Sequence, residues 1–176
     1  MAVQSKTQQL REWADETGEI DLTIVWLACN NISSPYGCAT NLVEKLSGNN
    51  LNGHDQQTVF NHLYEELDSI GGSIVVVLDE IDNLGRSDDL LYALPRARST
   101  GKLENVRVSV IGISNDFNYV SNLSPKVKST LCEKEIEFAP YDADQLRSIL
   151  TRRVDVAFED ETVEEGAIAL CAAYAA

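Results

Sequence analysis

The stretch that decides the fold is Ser73-Ile74-Val75-Val76-Val77-Leu78-Asp79-Glu80-Ile81-Asp82, bracketed upstream by Gly71-Gly72. Five apolar residues in a row, mostly β-branched, suit a strand buried on both faces, the pattern of a parallel sheet. The run delivers two adjacent carboxylates to the strand's carboxyl end, which is where open α/β sheets bind ligands. A second apolar run, Val106 to Ile113, reads as another buried strand and ends in Ser114-Asn115-Asp116. Leu22 to Ala28 reads as a third, and Glu135 to Phe138 as a short fourth.

Between these runs the sequence reads as helices. Residues Ala2 to Glu16 form one charged-faced segment that ends near Gly18. Ser34-Pro35 places a cap residue and a first-turn proline ahead of a helix reaching about Leu46. Val59, Phe60, Leu63, Tyr64 and Leu67 make an apolar stripe on a helix over Gln56–Leu67. Asp88 to Arg98 is helical with Pro95 bending its end, and Ser124-Pro125 opens a short helix. Asp142 with Gln145, and Thr162 with Glu165, have the spacing of capping boxes for two further helices. Strands alternating with helices predict a parallel α/β sheet over residues 1–140, followed by a small helical piece over 141–176. Both ends are expected to be cut, because the chain opens and closes inside helices.

The 176 residues are 44% apolar, enough for one domain with a core. No run approaches a membrane span and the N-terminus is polar, which predicts a cytoplasmic protein without a membrane partner. Cys29, Cys38, Cys132 and Cys171 are scattered, and His54 and His62 lack partners at metal-ligand spacing. Buried reduced thiols are therefore expected rather than a zinc site. Acids outnumber bases 28 to 14 along the whole length, giving a net charge of −14. That balance argues against a duplex-binding surface in this segment. It fits an acidic surface adapted to a salt-rich cytoplasm.

The chemistry lies at the strand ends. Asp79 can hold a magnesium ion through its water shell, since Mg²⁺ dehydrates reluctantly and takes one or two carboxylates plus phosphates. Glu80 projects differently and can polarise an attacking water. This is the Walker B pattern, although a core strand ending in a solvated acidic turn has the same residues. Asn115 would sit beside the strand bearing Asp79, where an amide can orient the water near a γ-phosphate; Asn-Asp is equally a turn signal. Asp79-Glu80-Ile81-Asp82 also fits the D-E-x-D of RNA helicases, but there Ser-Ala-Thr rather than Ser-Asn is expected. Arg152-Arg153 reads as solvated helix surface and Trp26 as core. A phosphate loop, G-x-x-x-x-G-K-[ST], is absent: the Gly-Lys pair is Gly101-Lys102, with Arg96 and Leu103 where Gly and Ser or Thr belong.

Four stretches together resemble the archaeal origin-recognition and cell-division-control branch of the AAA+ ATPases. They are Ile74–Asn83, the strand ending Ile113-Ser114-Asn115, Leu123–Leu131 and Phe138–Leu146. The resemblance implies an incomplete P-loop AAA+ parallel sheet flanked by helices, then the start of a helical lid subdomain. It implies ATP or ADP with Mg²⁺ in the intact family, but no tight binding by these residues alone. Asp79 would be the Walker B acid, Glu80 the catalytic glutamate and Asn115 the sensor-1 amide. Within Leu123–Leu131 the family often has an arginine that reaches a neighbouring ATP. Here the position reads Lys126, which cannot reproduce the planar fork of arginine and would give at most a weak trans contact. Origin DNA, through regions outside this segment, and other initiator or helicase-loading subunits would be the partners. The phosphate loop would lie immediately before Met1, so Val106–Ile113 is expected to present an unpaired edge and the chain to be molten, aggregated or rescued by a partner or high salt. The alternatives are a non-catalytic AAA+-like interaction module and another AAA+ type such as a clamp-loader subunit.

Overall fold

A computed structural model describes residues 9, 12, 13, 16, 18, 21–84, 89–131, 134–159 and 162–176. Contacts divide the chain into two units, Met1–Glu133 and Lys134–Ala176. The helix expected over 2–16 falls largely outside the described residues; Gln9, Glu12, Trp13 and Glu16 are helical. Cys132 also lies outside them.

The first unit is built on three parallel strands, β1 (Leu22–Ala28), β2 (Gly72–Asp79) and β3 (Val106–Ile113), in that spatial order. Between β1 and β2 run α1 (Pro35–Ser47) and α2 (Gln56–Ile70), and between β2 and β3 runs α3 (Asp89–Arg96). Side chains alternate across a strand, so Ile74, Val76 and Leu78 share one face of β2. That face packs into one core with Leu42 and Val43 of α1, Val59, Leu63 and Leu67 of α2, and Leu90 and Leu94 of α3. Val77, on the opposite face, is fully buried too. The expected two-sided burial therefore holds for β2.

The helix signals act through identifiable bonds. Ser34 caps α1 by accepting the Gly37 N–H, with Pro35 in the first turn, and Gly48 ends it at φ 77°. Asp55 caps α2 through the Thr58 N–H. After β3 come a single turn, α4 (Tyr119–Asn122), and α5 (Pro125–Leu131).

The second unit, taken by itself, contains α6 (Ala143–Ala157) and α7 (Glu165–Ala175). The capping box expected at Asp142 and Gln145 is present in both directions. The one expected at Thr162 is not: Glu164 is the N-cap and makes no side-chain cap bond, so α7 starts without that reciprocal pair.

Three further expectations are corrected. Residues 134–140 form no strand, and Ile136 and Phe138 are exposed. An extended segment becomes a strand only through ladder bonds, and none joins it among the described residues. β3 is not buried on both faces; it pairs with β2 alone among the described strands, and Arg107, Ser109, Ile111 and Gly112 are exposed. Its edge position is the one foreseen for Val106–Ile113. Of the thiols, Cys29 and Cys38 are buried, whereas Cys171 lies on the exposed side of α7. Trp26 is half-buried on β1.

Candidate functional site at the strand ends

β2 and β3 pair in parallel through Asp79 and Ile113, the last residue of each strand. Their carboxyl ends are therefore adjacent, and the acids after Leu78 and the amide after Ser114 emerge at one edge of the sheet. The structure brings Asp79, Glu80 and Asn115 to that edge, on neighbouring strands.

Asp79 is held on both sides of its strand. Its carbonyl accepts the Cys29 N–H at 2.8 Å from the end of β1, and its own Oδ1 accepts the Glu80 N–H at 3.1 Å. Cys29 and Cys38 are themselves fully buried, and their mutual hydrogen bond together with burial pushes the Cys38 thiol up. Beyond Asp79 the chain must turn sharply. Glu80 makes the turn at φ 54°, the left-handed region that side-chain-bearing residues seldom occupy, and among the described residues no other non-glycine has a positive φ. Its carbonyl accepts the backbone and side-chain N–H groups of Asn83, both at 3.1 Å. The turn drives Ile81 and Leu84, on a 3-10 segment over Ile81–Leu84, into the core. Gly112 makes room for this: a Cβ there would stand 3.3 Å from Ile81 Cδ1. Asp79, Glu80 and Asp82 are left half-buried.

The loop after β3 is shaped by local bonds. Ser114 Oγ donates to Asp82 Oδ1 at 2.7 Å and accepts the Asp116 N–H at 2.9 Å. Asp116 in turn accepts the Asn118 N–H at 2.9 Å. Asn115 lies inside this run and is exposed. The Asp82–Ser114 bond was not foreseen from the sequence, although the signals were present: an acid two residues after Glu80, and a serine directly before Asn115.

Lys126 sits on α5 and is engaged with α3. Its Nζ lies 3.7 Å from Asp89 Oδ1 and 5.0 Å from the centre of the Tyr92 ring, which Arg96 also approaches at 4.9 Å. Arg152 and Arg153 are exposed on α6, as expected. Among the described residues no group of three or more His, Cys, Asp or Glu is arranged to hold a metal by itself. No helix among them is long and apolar enough to cross a membrane.

The described geometry defines a three-stranded parallel α/β unit with acids at the carboxyl end of its middle strand. No family model matches the chain. ORC1-type DNA replication protein 15 of Haloarcula marismortui is 51% identical over 162 residues, covering 90% of this chain and 40% of the relative. ORC1-type DNA replication protein 10 of Halobacterium salinarum is 46% identical over 172 residues, covering 96% and 42%. Among solved structures, the Aeropyrum pernix ORC1 protein in complex with DNA superposes with a TM-score of 0.80 at 32% identity, covering 94% of this chain and 42% of that one. The chain is a member of the archaeal Orc1/Cdc6 group of AAA+ replication proteins, and it spans about two fifths of the length of the relatives it matches.

Proposed function

We propose that this chain supplies the magnesium-and-water half of the ATP site of a DNA replication initiator. In this reading Asp79 is the Walker B acid, Glu80 polarises the attacking water, and Asn115 is the sensor-1 amide that orients it. The observation that carries the reading is the strained left-handed Glu80 between a held Asp79 and a buried Ile81. Backbone strain persists where the surroundings over-determine it, and it concentrates at functional sites.

The residues fit a magnesium ion. The donor set is hard carboxylate oxygen, and with Oδ1 of Asp79 taking a backbone N–H, Oδ2 is the oxygen that would hold the water shell of a bound Mg²⁺. When bound, the ion would neutralise phosphate charge. What the chain's own groups contribute is the anchoring of that shell by Asp79 and the alignment of water by Glu80 and Asn115.

Residues 1–140 act as the nucleotide-binding core and 141–176 as part of the helical lid. By the resemblance, Lys126 stands where the family often has an arginine that reaches a neighbouring ATP; a weak contact from it to a neighbouring subunit's nucleotide would first have to release Asp89 and Tyr92. The related Aeropyrum pernix protein was solved on DNA. By that likeness the partners are origin DNA, reached through regions outside this acidic segment, and other initiator or helicase-loading subunits.

A second reading is a non-catalytic interaction module; these 176 residues contain no G-x-x-x-x-G-K-[ST]. Without the backbone cradle and lysine, Mg·ATP should bind the chain with millimolar or weaker affinity, only about −4 kcal/mol, and no turnover should be measurable. Calorimetry on the chain showing tight, magnesium-dependent binding would refute that expectation. The catalytic reading is tested where a phosphate loop is supplied. There Glu80→Gln should keep ATP binding and slow hydrolysis by on the order of 10²–10⁴. Unchanged hydrolysis would move the water-activating role elsewhere.

A further inference from the structure

The ladder between β2 and β3 ends at Asp79 and Ile113. Past that rung the two strand ends carry the groups that must act together, yet strand pairing no longer fixes their separation. A side-chain bond across this gap is the one from Ser114 Oγ to Asp82 Oδ1, at 2.7 Å between residues 32 apart in sequence. It is half-buried and ends on an ionisable acceptor, which makes it stronger than an exposed neutral bond.

We propose that Asp82 and Ser114 are a positioning pair that sets where Asn115 stands relative to Asp79 and Glu80. A serine hydroxyl has one proton and two lone pairs, while a carboxylate only accepts. Asp82 therefore accepts the Ser114 O–H as a hydrogen bond, which turns the serine oxygen's lone pairs toward the loop. The Asp116 N–H occupies one of them at 2.9 Å. Asn115 is thus flanked by two residues fastened to the same oxygen, and its exposed side chain is presented from a clamped backbone. Asp82 is in turn fixed by the short 3-10 segment whose Ile81 and Leu84 are buried. Displacement of the acid-bearing turn would be passed to Asn115 through this bond. The functional part of the inference rests on the reading of Asp79 and Asn115 above; the clamp itself does not.

Nuclear magnetic resonance on the 176-residue chain separates the two. Ser114→Ala and Asp82→Ala should each speed exchange of the Asp116 amide by about fivefold, the loss expected for a hydrogen bond to a neutral hydroxyl. Ser114→Thr, which keeps the hydroxyl, should restore protection, and the Glu80 amide bonded to Asp79 should be unaffected. Mn²⁺, used as a paramagnetic stand-in for Mg²⁺, should broaden Asp79, Glu80 and the Asn115 side-chain amide together in the unaltered chain. In Ser114→Ala the broadening should persist at Asp79 and fade at Asn115. Should Mn²⁺ broaden none of these, the magnesium reading of Asp79 fails, while Asp116 exchange still decides the clamp. Unchanged Asp116 exchange in both alanine variants, or equal protection in Ser114→Ala and Ser114→Thr, would overturn the positioning pair.

Discussion

β2 and β3 are strands of equal length, eight residues each, paired in register from Gly72–Val106 to Asp79–Ile113. Their surroundings differ. β2 has a ladder on each side and a run of buried side chains, Val76 to Leu78, directly before its acids. β3 has one ladder among the described strands, and four of its eight residues are exposed. The ends differ accordingly. That of β2 is pinned by β1, β3 and the core beneath Ile81, rigidly enough to hold Glu80 in a costly conformation. The end of β3 is held by one side-chain bond and a chain of local turns. A central strand can thus store strain at its tip, whereas an edge strand needs a tether to place its tip.

The largest effect expected from this contrast is on stability. Leu78→Ala, in the fully buried face of β2, should cost about 2–5 kcal/mol in chemical denaturation. Ile111→Ala, at the paired but exposed position on β3, should cost less than about 1 kcal/mol. Equal losses would erase the distinction between the strands. Next comes the strain itself. Glu80→Gly removes the Cβ from a left-handed residue and should stabilise the fold by about 1 kcal/mol while deleting the candidate water-activating carboxylate. A destabilised Glu80→Gly variant would mean that the Glu80 side chain, rather than its surroundings, holds the turn.

The smallest effect concerns the start of β3. Asp68 accepts the backbone N–H groups of Glu104 and Asn105, each at 2.8 Å, and the Asn105 side-chain amide at 3.0 Å. The Asn105 N–H above all holds its carboxyl below the ordinary range. A carboxyl depressed in the folded state lends stability that is present above its unfolded pKa, near 3.9, and is lost as the pH falls through the folded value. Stability should therefore decline below about pH 4, and Asp68→Asn should flatten that part of the profile. An unaltered acid limb in Asp68→Asn would remove Asp68 as a contributor.

Much of this was legible in the sequence, and the reasons are local. β2 showed itself because burial on both faces demands an unbroken apolar run. α1 and α6 showed themselves because Ser34-Pro35 and Asp142–Gln145 make bonds confined to one turn. The pairing of the strand that ends at Asp79 with the one that leads to Asn115 was expected of a parallel sheet, in which successive strands usually lie side by side. The misses depended on distant partners. Glu135–Phe138 has strand composition, but composition does not supply a neighbouring ladder. Thr162 has capping spacing, but the chain enters α7 two residues later. The burial of β3 was overestimated because its apolar run was read as covered on both faces, although its edge position was foreseen and four of its residues are exposed. The left-handed Glu80 and the Asp82–Ser114 bond depend on how Ile81 packs against Gly112, which only the assembled sheet decides.

In the proposed reading the acid at the tip of β2 is a specific metal anchor and not merely one of 28 acidic residues in a strongly negative chain. Mn²⁺ titration followed by amide resonances tests this most directly, comparing Asp79→Asn with Asp116→Asn. Broadening should centre on Glu80 and on the Cys29 amide, which is bonded to the Asp79 carbonyl, and should be abolished by Asp79→Asn and retained in Asp116→Asn. Broadening spread evenly over exposed acids and indifferent to Asp79→Asn would contradict it.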